Sequence, residues 1–170
     1  MNVDAHELIL RGVGAGVNDP SRINDPHDHW RGVALVEGRV PLVLELKHIR
    51  GRDAGLAWEV VERLKRYAGP AALMSFNARL IADIRAADPG LPRGLTAAGD
   101  WRATPIHMRA ALRLGVDFIS YCIDDLPRPM PFLARRVLGL PLICWTVRTS
   151  AQLRKAQALT DQITFEGFAA

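Results

Sequence analysis

Cysteine is scarce: Cys122 and Cys144 are the only two in 170 residues. That excludes a disulfide framework. Each sits inside an apolar, strand-like run, so both read as small buried hydrophobes of a reducing compartment. Long apolar runs are also lacking. Stretches such as residues 40–44 and 138–145 fall well short of the ~20 residues that a membrane-spanning helix needs. The first residues, Met1-Asn2-Val3-Asp4-Ala5-His6-Glu7, lack the basic-then-apolar order of a secretory signal. The reading is a cytoplasmic protein without a membrane span. Neither an internal repeat nor a low-complexity tract is present, which removes solenoid and linker architectures.

What is there is ordinary globular composition, with 49% hydrophobic and 24% charged residues, and this excludes intrinsic disorder. The length suits one domain with a sizeable core. A net charge of +4 comes mainly from arginines scattered through helix-like segments (Arg63, Arg85, Arg113, Arg135, Arg154). Their dispersal reads as a solvated surface and not as a nucleic-acid footprint.

From Arg39 onward, short apolar or β-branched runs alternate with helical patterns. Residues 40–47 form the first run. Residues 54–67 then place Leu56, Val60, Val61, Leu64 and Tyr67 on one face of an amphipathic helix that Gly69-Pro70 ends. Residues 71–76 read as a strand, and Asn77 is a helix cap ahead of Leu80, Ile81, Ile84 and Ala87. The rhythm continues with strands at 93–96, 117–122, 140–147 and 162–165, and helices at 105–114, 131–138 and 150–159.

Repeated β-then-α units predict a parallel sheet with helices outside, as a barrel or as an open doubly wound sheet. The strands are apolar along their length, as strands buried on both faces should be. Polar residues gather at their carboxyl ends: Glu45, Lys47, Ser75, Tyr121, Trp145 and Thr146. In either architecture that end binds ligands. Ser75 and Tyr121 are therefore expected to face the site, without an assigned role. Residues 1–34 differ: Asn18-Asp19-Pro20-Ser21 and Asn24-Asp25-Pro26 are turn chemistry, so an irregular amino-terminal segment is expected before a barrel-like unit at 35–170.

Three stretches carry chemistry. Leu44-Glu45-Leu46-Lys47 resembles the Glu-x-Lys strand of glycerophosphodiester phosphodiesterases, Ser75-Phe76 their next strand end, and Cys144-Trp145-Thr146-Val147 their Trp-Thr-Val strand. Gln162-Ile163-Thr164-Phe165 resembles the final strand of one branch, so the likeness runs over residues 35–168 in order and spacing. It implies a partial TIM (β/α) barrel with its first strands missing, and a metal-dependent phosphoric diester hydrolase. Such an enzyme cleaves a glycerophosphodiester to glycerol 3-phosphate and an alcohol.

The residue types suit that reaction. Phosphodiester hydrolysis needs neutralisation of charge on the phosphoryl oxygens and a proton donor for the leaving alkoxide. Glu45 and Lys47, two apart on a strand, point to the same side. By the resemblance, Glu45 is a ligand of a divalent cation (Ca²⁺ or Mg²⁺) and Lys47 contacts the phosphate. Trp145 forms a wall against the glycerol portion, and Phe76 lines the same pocket. Plain core packing is the competing account of both rings, more so for Phe76.

The family's early His-Arg-Gly, Glu-x-Asp and His-Asp strands are not found in the 44 residues before Glu45. A barrel of this class runs to roughly 250 residues, and the shortfall matches those strands. His27-Asp28-His29 and His6 lie in loop-like surroundings and are read against as replacements, while His48 and His107 read as ordinary surface or boundary residues. The competing function is a non-catalytic partial barrel that binds phosphate ligands weakly or associates with another chain. Missing strands leave open edges, so a homo-oligomer or a partner covering the gap is expected.

Overall fold

The structure is a computed structural model and describes residues 38–39, 41–51 and 53–167. The expected irregular segment 1–34, with His6, His27 and His29, lies outside the described residues, as do Val40 of the first strand run and Phe168. Within them the chain alternates strand and helix from end to end. β1 spans Leu42–Glu45, α1 Leu56–Leu64, β2 Ala71–Ser75, α2 Ala78–Ala87, β3 Arg93–Ala97 and α3 Thr104–Leu114. β4 spans Phe118–Cys122, α4 Pro129–Arg136, β5 Leu142–Val147, α5 Ser150–Leu159 and β6 Gln162–Phe165. Single 3₁₀ turns, Trp101–Ala103 and Ile123–Asp125, follow β3 and β4.

Local chemistry accounts for the boundaries. In α1, Ala57, Val60, Val61 and Leu64 are buried at the helical repeat, and the chain enters through Gly55 in the left-handed region (φ 79°). Asn77 caps α2 as expected, its Oδ1 accepting from the Arg79 amide at 2.8 Å and the Leu80 amide at 3.4 Å. α4 begins two residues earlier than the sequence reading placed it. Pro129 and Pro131 both sit in its first turn, where no amide has an intrahelical acceptor and proline removes nothing.

The six strands of the described residues are all parallel and lie in sequence order, β1-β2-β3-β4-β5-β6. A doubly wound sheet reverses its order at a switch point, so this succession selects the partial (β/α) barrel. Alternation along each strand gives the sheet two faces. Leu46, Leu73, Leu95, Ile119, Tyr121, Leu142 and Cys144 point outward to two large clusters with α1–α5. Ala72, Phe118 and Ile143, with Val43 and Met74, form a separate inner cluster.

The inner face is concave. Phe76, just beyond β2, meets Trp145 of β5 edge to face, with ring centroids 5.6 Å apart and planes at 82°. Two strands lie between them, and in a flat sheet the backbones would stand about 14 Å apart. Gly94 makes the curl possible at β3: a Cβ there would lie 2.2 Å from Cε2 of Phe118, whose ring fills the space. The amino-terminal rim is tied by Arg135, which donates to both carboxylate oxygens of Asp161 at 3.0 and 3.1 Å through Nε. Asp161 also accepts from the Leu142 amide at 2.8 Å, joining α4, β5 and β6.

Candidate functional site

The carboxyl ends of the strands open on one side of the concave face, where Glu45 ends β1 and Lys47 follows two residues beyond. Register aligns Glu45 with Met74, Met74 with Gly94, and Gly94 with Phe118 in one row. The row above pairs Thr96 with Ser120, Ser120 with Ile143, and Ile143 with Gln162. Lys47 and Phe76 stand two residues beyond Glu45 and Met74, so the same alternation puts them in this upper row. Trp145 is opposite Cys122, one row higher. The structure thus brings Glu45, Lys47, Phe76 and Trp145 to one face.

Glu45 is accessible at the strand end, yet the protein around its carboxyl displaces enough water to push it above its ordinary value of 4.5, with Lys47 pulling the other way. Lys47 is exposed. Phe76 is 52% exposed, so core packing does not account for it, and its place is the rim of the mouth. Trp145 is half-buried, and its indole Nε1 is buried without a hydrogen-bond partner. The Trp145–Thr146 peptide is cis.

Two strand-end residues expected at the site are elsewhere. Ser75 is buried on the outward parity, donating to the Leu46 carbonyl at 2.6 Å and accepting from the Asn77 amide at 3.0 Å. It fastens the end of β1 to the turn after β2. Tyr121 is fully buried among the helix-facing residues, and its hydroxyl donates to the Gly99 carbonyl at 2.8 Å. Both follow from the two-residue side-chain period, which a list of strand-end polar residues ignores. Cys144 is buried outward and Cys122 is half-buried on the opposite face; both are free thiols.

His48 and Asp53 form a pair that the sequence reading missed. The imidazole Nδ1 bonds to Asp53 Oδ2 in the loop after Lys47, and this bond holds the Asp53 carboxyl below its ordinary range. His107 of α3 is half-buried with Nδ1 unpartnered, and burial lowers its pKa. No group of three His, Cys, Asp or Glu side chains gathers among the described residues. A hard divalent cation takes about six oxygen ligands, and Glu45 alone does not make such a cage. The described residues therefore do not complete a metal site. A shallow depression beside Arg136, Gly139 and Pro141 lies at the amino-terminal rim, where Arg135 and Asp161 already satisfy each other.

No family model matches the chain, and no curated protein does. Solved structures do match. A Silicibacter pomeroyi protein assigned to the glycerophosphoryl diester phosphodiesterases aligns over 79% of this chain and 51% of its own, with TM-score 0.65 and 22% identity. An Oleispira antarctica phosphodiesterase, solved with its product sn-glycerol 3-phosphate, aligns over 74% and 51%, with TM-score 0.65 and 18% identity. A glycerophosphodiester phosphodiesterase from Parabacteroides distasonis aligns over 74% and 53%, with TM-score 0.59 and 21% identity. The chain has the fold of these proteins and spans about half the length of each.

Proposed function

We propose that the chain acts on glycerophosphodiesters as a phosphoric diester hydrolase of the glycerophosphodiester phosphodiesterase type, and that residues 35–170 supply the binding half of its site. The observation that carries this is the convergence of Lys47, Phe76 and Trp145, with Glu45, at the carboxyl ends of β1, β2 and β5 on one concave face. Lys47 compensates charge on the phosphoryl oxygens, and a single mobile ammonium does so as a point charge. Trp145 and Phe76 present an apolar corner to the carbon skeleton of the glycerol. Glu45, with its raised pKa, is the carboxylate nearest that corner in register. In the reading by family likeness it would be one ligand of Ca²⁺ or Mg²⁺, the others coming from outside the described residues. The leaving alkoxide needs a proton, and His48, oriented by Asp53, is the described histidine next in sequence to the site.

A second reading has its own observation. Among the described residues β1 and β6 each pair on one side only, and no cation cage is complete. This favours a binding protein without hydrolysis, or a self-associating chain whose second copy covers the open edges.

Incubating the purified chain with glycerophosphocholine in Ca²⁺, in Mg²⁺ and in EDTA separates the two. Release of glycerol 3-phosphate, lost in EDTA and in Glu45→Ala, is the outcome the hydrolase proposal expects. Saturable binding of sn-glycerol 3-phosphate without any release would leave the binding protein. Absence of both would overturn the proposal.

A further inference from the structure

We infer that Thr96 and Ser120 form a polar floor beneath the apolar corner, and that they recognise the free hydroxyls of a polyol phosphate. This deepens the proposed function and rests on it.

Three polar atoms on the concave face are buried without a hydrogen-bond partner: Thr96 Oγ1, Ser120 Oγ and Trp145 Nε1. Thr96 is 2% exposed and Ser120 0%, and their Cα atoms are register partners on β3 and β4. Their parity is that of Gly94 and Phe118, which belong to the inner face, so neither hydroxyl turns toward the helices. The row they occupy is the one that Lys47 and Phe76 enter from β1 and β2, and Trp145 stands one row above.

Buried hydroxyls are nearly always satisfied, and an unsatisfied one costs free energy in the free protein. On the outer face of the sheet Ser75 and Thr160 both donate to carbonyls, the latter to that of Ala156 at 2.9 Å, while Thr104 Oγ1 and His107 Nδ1 of α3 are unpartnered in the helix layer. Three of the five unpartnered buried atoms among the described residues thus lie on the concave face, where the ligand is proposed to lie.

The chemistry selects the hydroxyl end of the ligand. A serine or threonine hydroxyl both donates and accepts, which matches another alcohol; a phosphate oxygen only accepts. Lys47 supplies the charge for phosphate, and the indole N–H adds one donor. Phosphate at Lys47 and the diol over Thr96 and Ser120 place the carbon skeleton against Trp145 and Phe76. A site that hydrogen-bonds a hydroxyl rejects the analogue lacking it, because its own buried groups then stay unpaired.

Calorimetric titration of the full chain with sn-glycerol 3-phosphate and with n-propyl phosphate, which keeps the charge and lacks both hydroxyls, tests this. The wild type should prefer glycerol 3-phosphate. Thr96→Val and Ser120→Ala should each weaken it about three- to ten-fold and leave propyl phosphate unchanged, while thermal melts show Tm equal or raised. Thr96→Ser, which keeps the hydroxyl and fits the same space, should retain the preference and serves if Thr96→Val fails to fold.

Equal affinity of the wild type for the two ligands overturns the inference, and so do variants that bind both ligands as the wild type does. In those cases Lys47→Ala still decides the underlying reading, since loss of both ligands upholds it. A wild type that binds neither ligand overturns the inference, and overturns the proposed function with it where glycerophosphocholine releases no glycerol 3-phosphate.

Discussion

The two faces of the one sheet are built on opposite terms. The convex face carries leucine, isoleucine and alanine against the five α-helices of the described residues, and its own buried polar side chains Ser75, Tyr121 and Thr160 are hydrogen-bonded. The concave face has a small apolar floor of Ala72, Phe118 and Ile143. Beside that floor it leaves two hydroxyls and an indole N–H without hydrogen-bond partners. A fully apolar interior would be the more stable solution. The asymmetry teaches that the convex face holds the fold together, whereas the concave face gives up stability at the groups we propose to meet the ligand.

The largest effect should come from Gly94→Ala. A methyl group driven against the Phe118 ring destabilises by about 3 kcal/mol, read in urea melts. A variant as stable as wild type would show that the inner floor is loosely packed and the curl unenforced. Lys47→Ala should next weaken sn-glycerol 3-phosphate roughly 10- to 100-fold at unchanged Tm, separating site from scaffold. Asp161→Ala does the converse. It strips Arg135 and the Leu142 amide of their acceptor, costs about 1–3 kcal/mol of stability and leaves affinity intact.

The smallest effect is a pH dependence at Glu45. Its carboxyl is raised above 4.5 in the folded chain, so the folded state holds its proton longer than the unfolded one. Stability is therefore fully present below that pH and is lost as pH rises through the folded pKa. Glu45→Gln should match wild-type Tm at low pH and exceed it increasingly above. A constant difference across the range would place the carboxyl in ordinary solvent.

The convex face was almost wholly legible in the sequence. Short apolar runs set between helical repeats located each strand and α-helix of the described residues, because burial on both sides forces those patterns. α4 was displaced by two residues at each end, two prolines disguising its first turn. Glu45, Lys47 and Trp145 were legible as an ordered set at strand ends, and the fold brings them to one face. Phe76 was harder: a phenylalanine following an apolar strand reads as core, and only the curl that sets it against Trp145 explains its exposure.

Thr96 and Ser120 went unnoticed because they sit inside apolar runs. Counting in twos from Gly94 and Phe118 would have put them on the inner face. Ser75 and Tyr121 were misplaced for the same neglected parity. The His48–Asp53 pair has no periodic signal at all, since a loop alone brings the two together.

The most direct test of this division is an amide and indole proton–nitrogen NMR titration with sn-glycerol 3-phosphate, the Trp145 indole signal being assigned by its loss in Trp145→Phe. The account predicts saturable shifts of that indole and of the Gly94, Thr96 and Ser120 amides, with the exposed indole of Trp58 on α1 unmoved. Shifts confined to the Trp58 indole, or none at all, would contradict it.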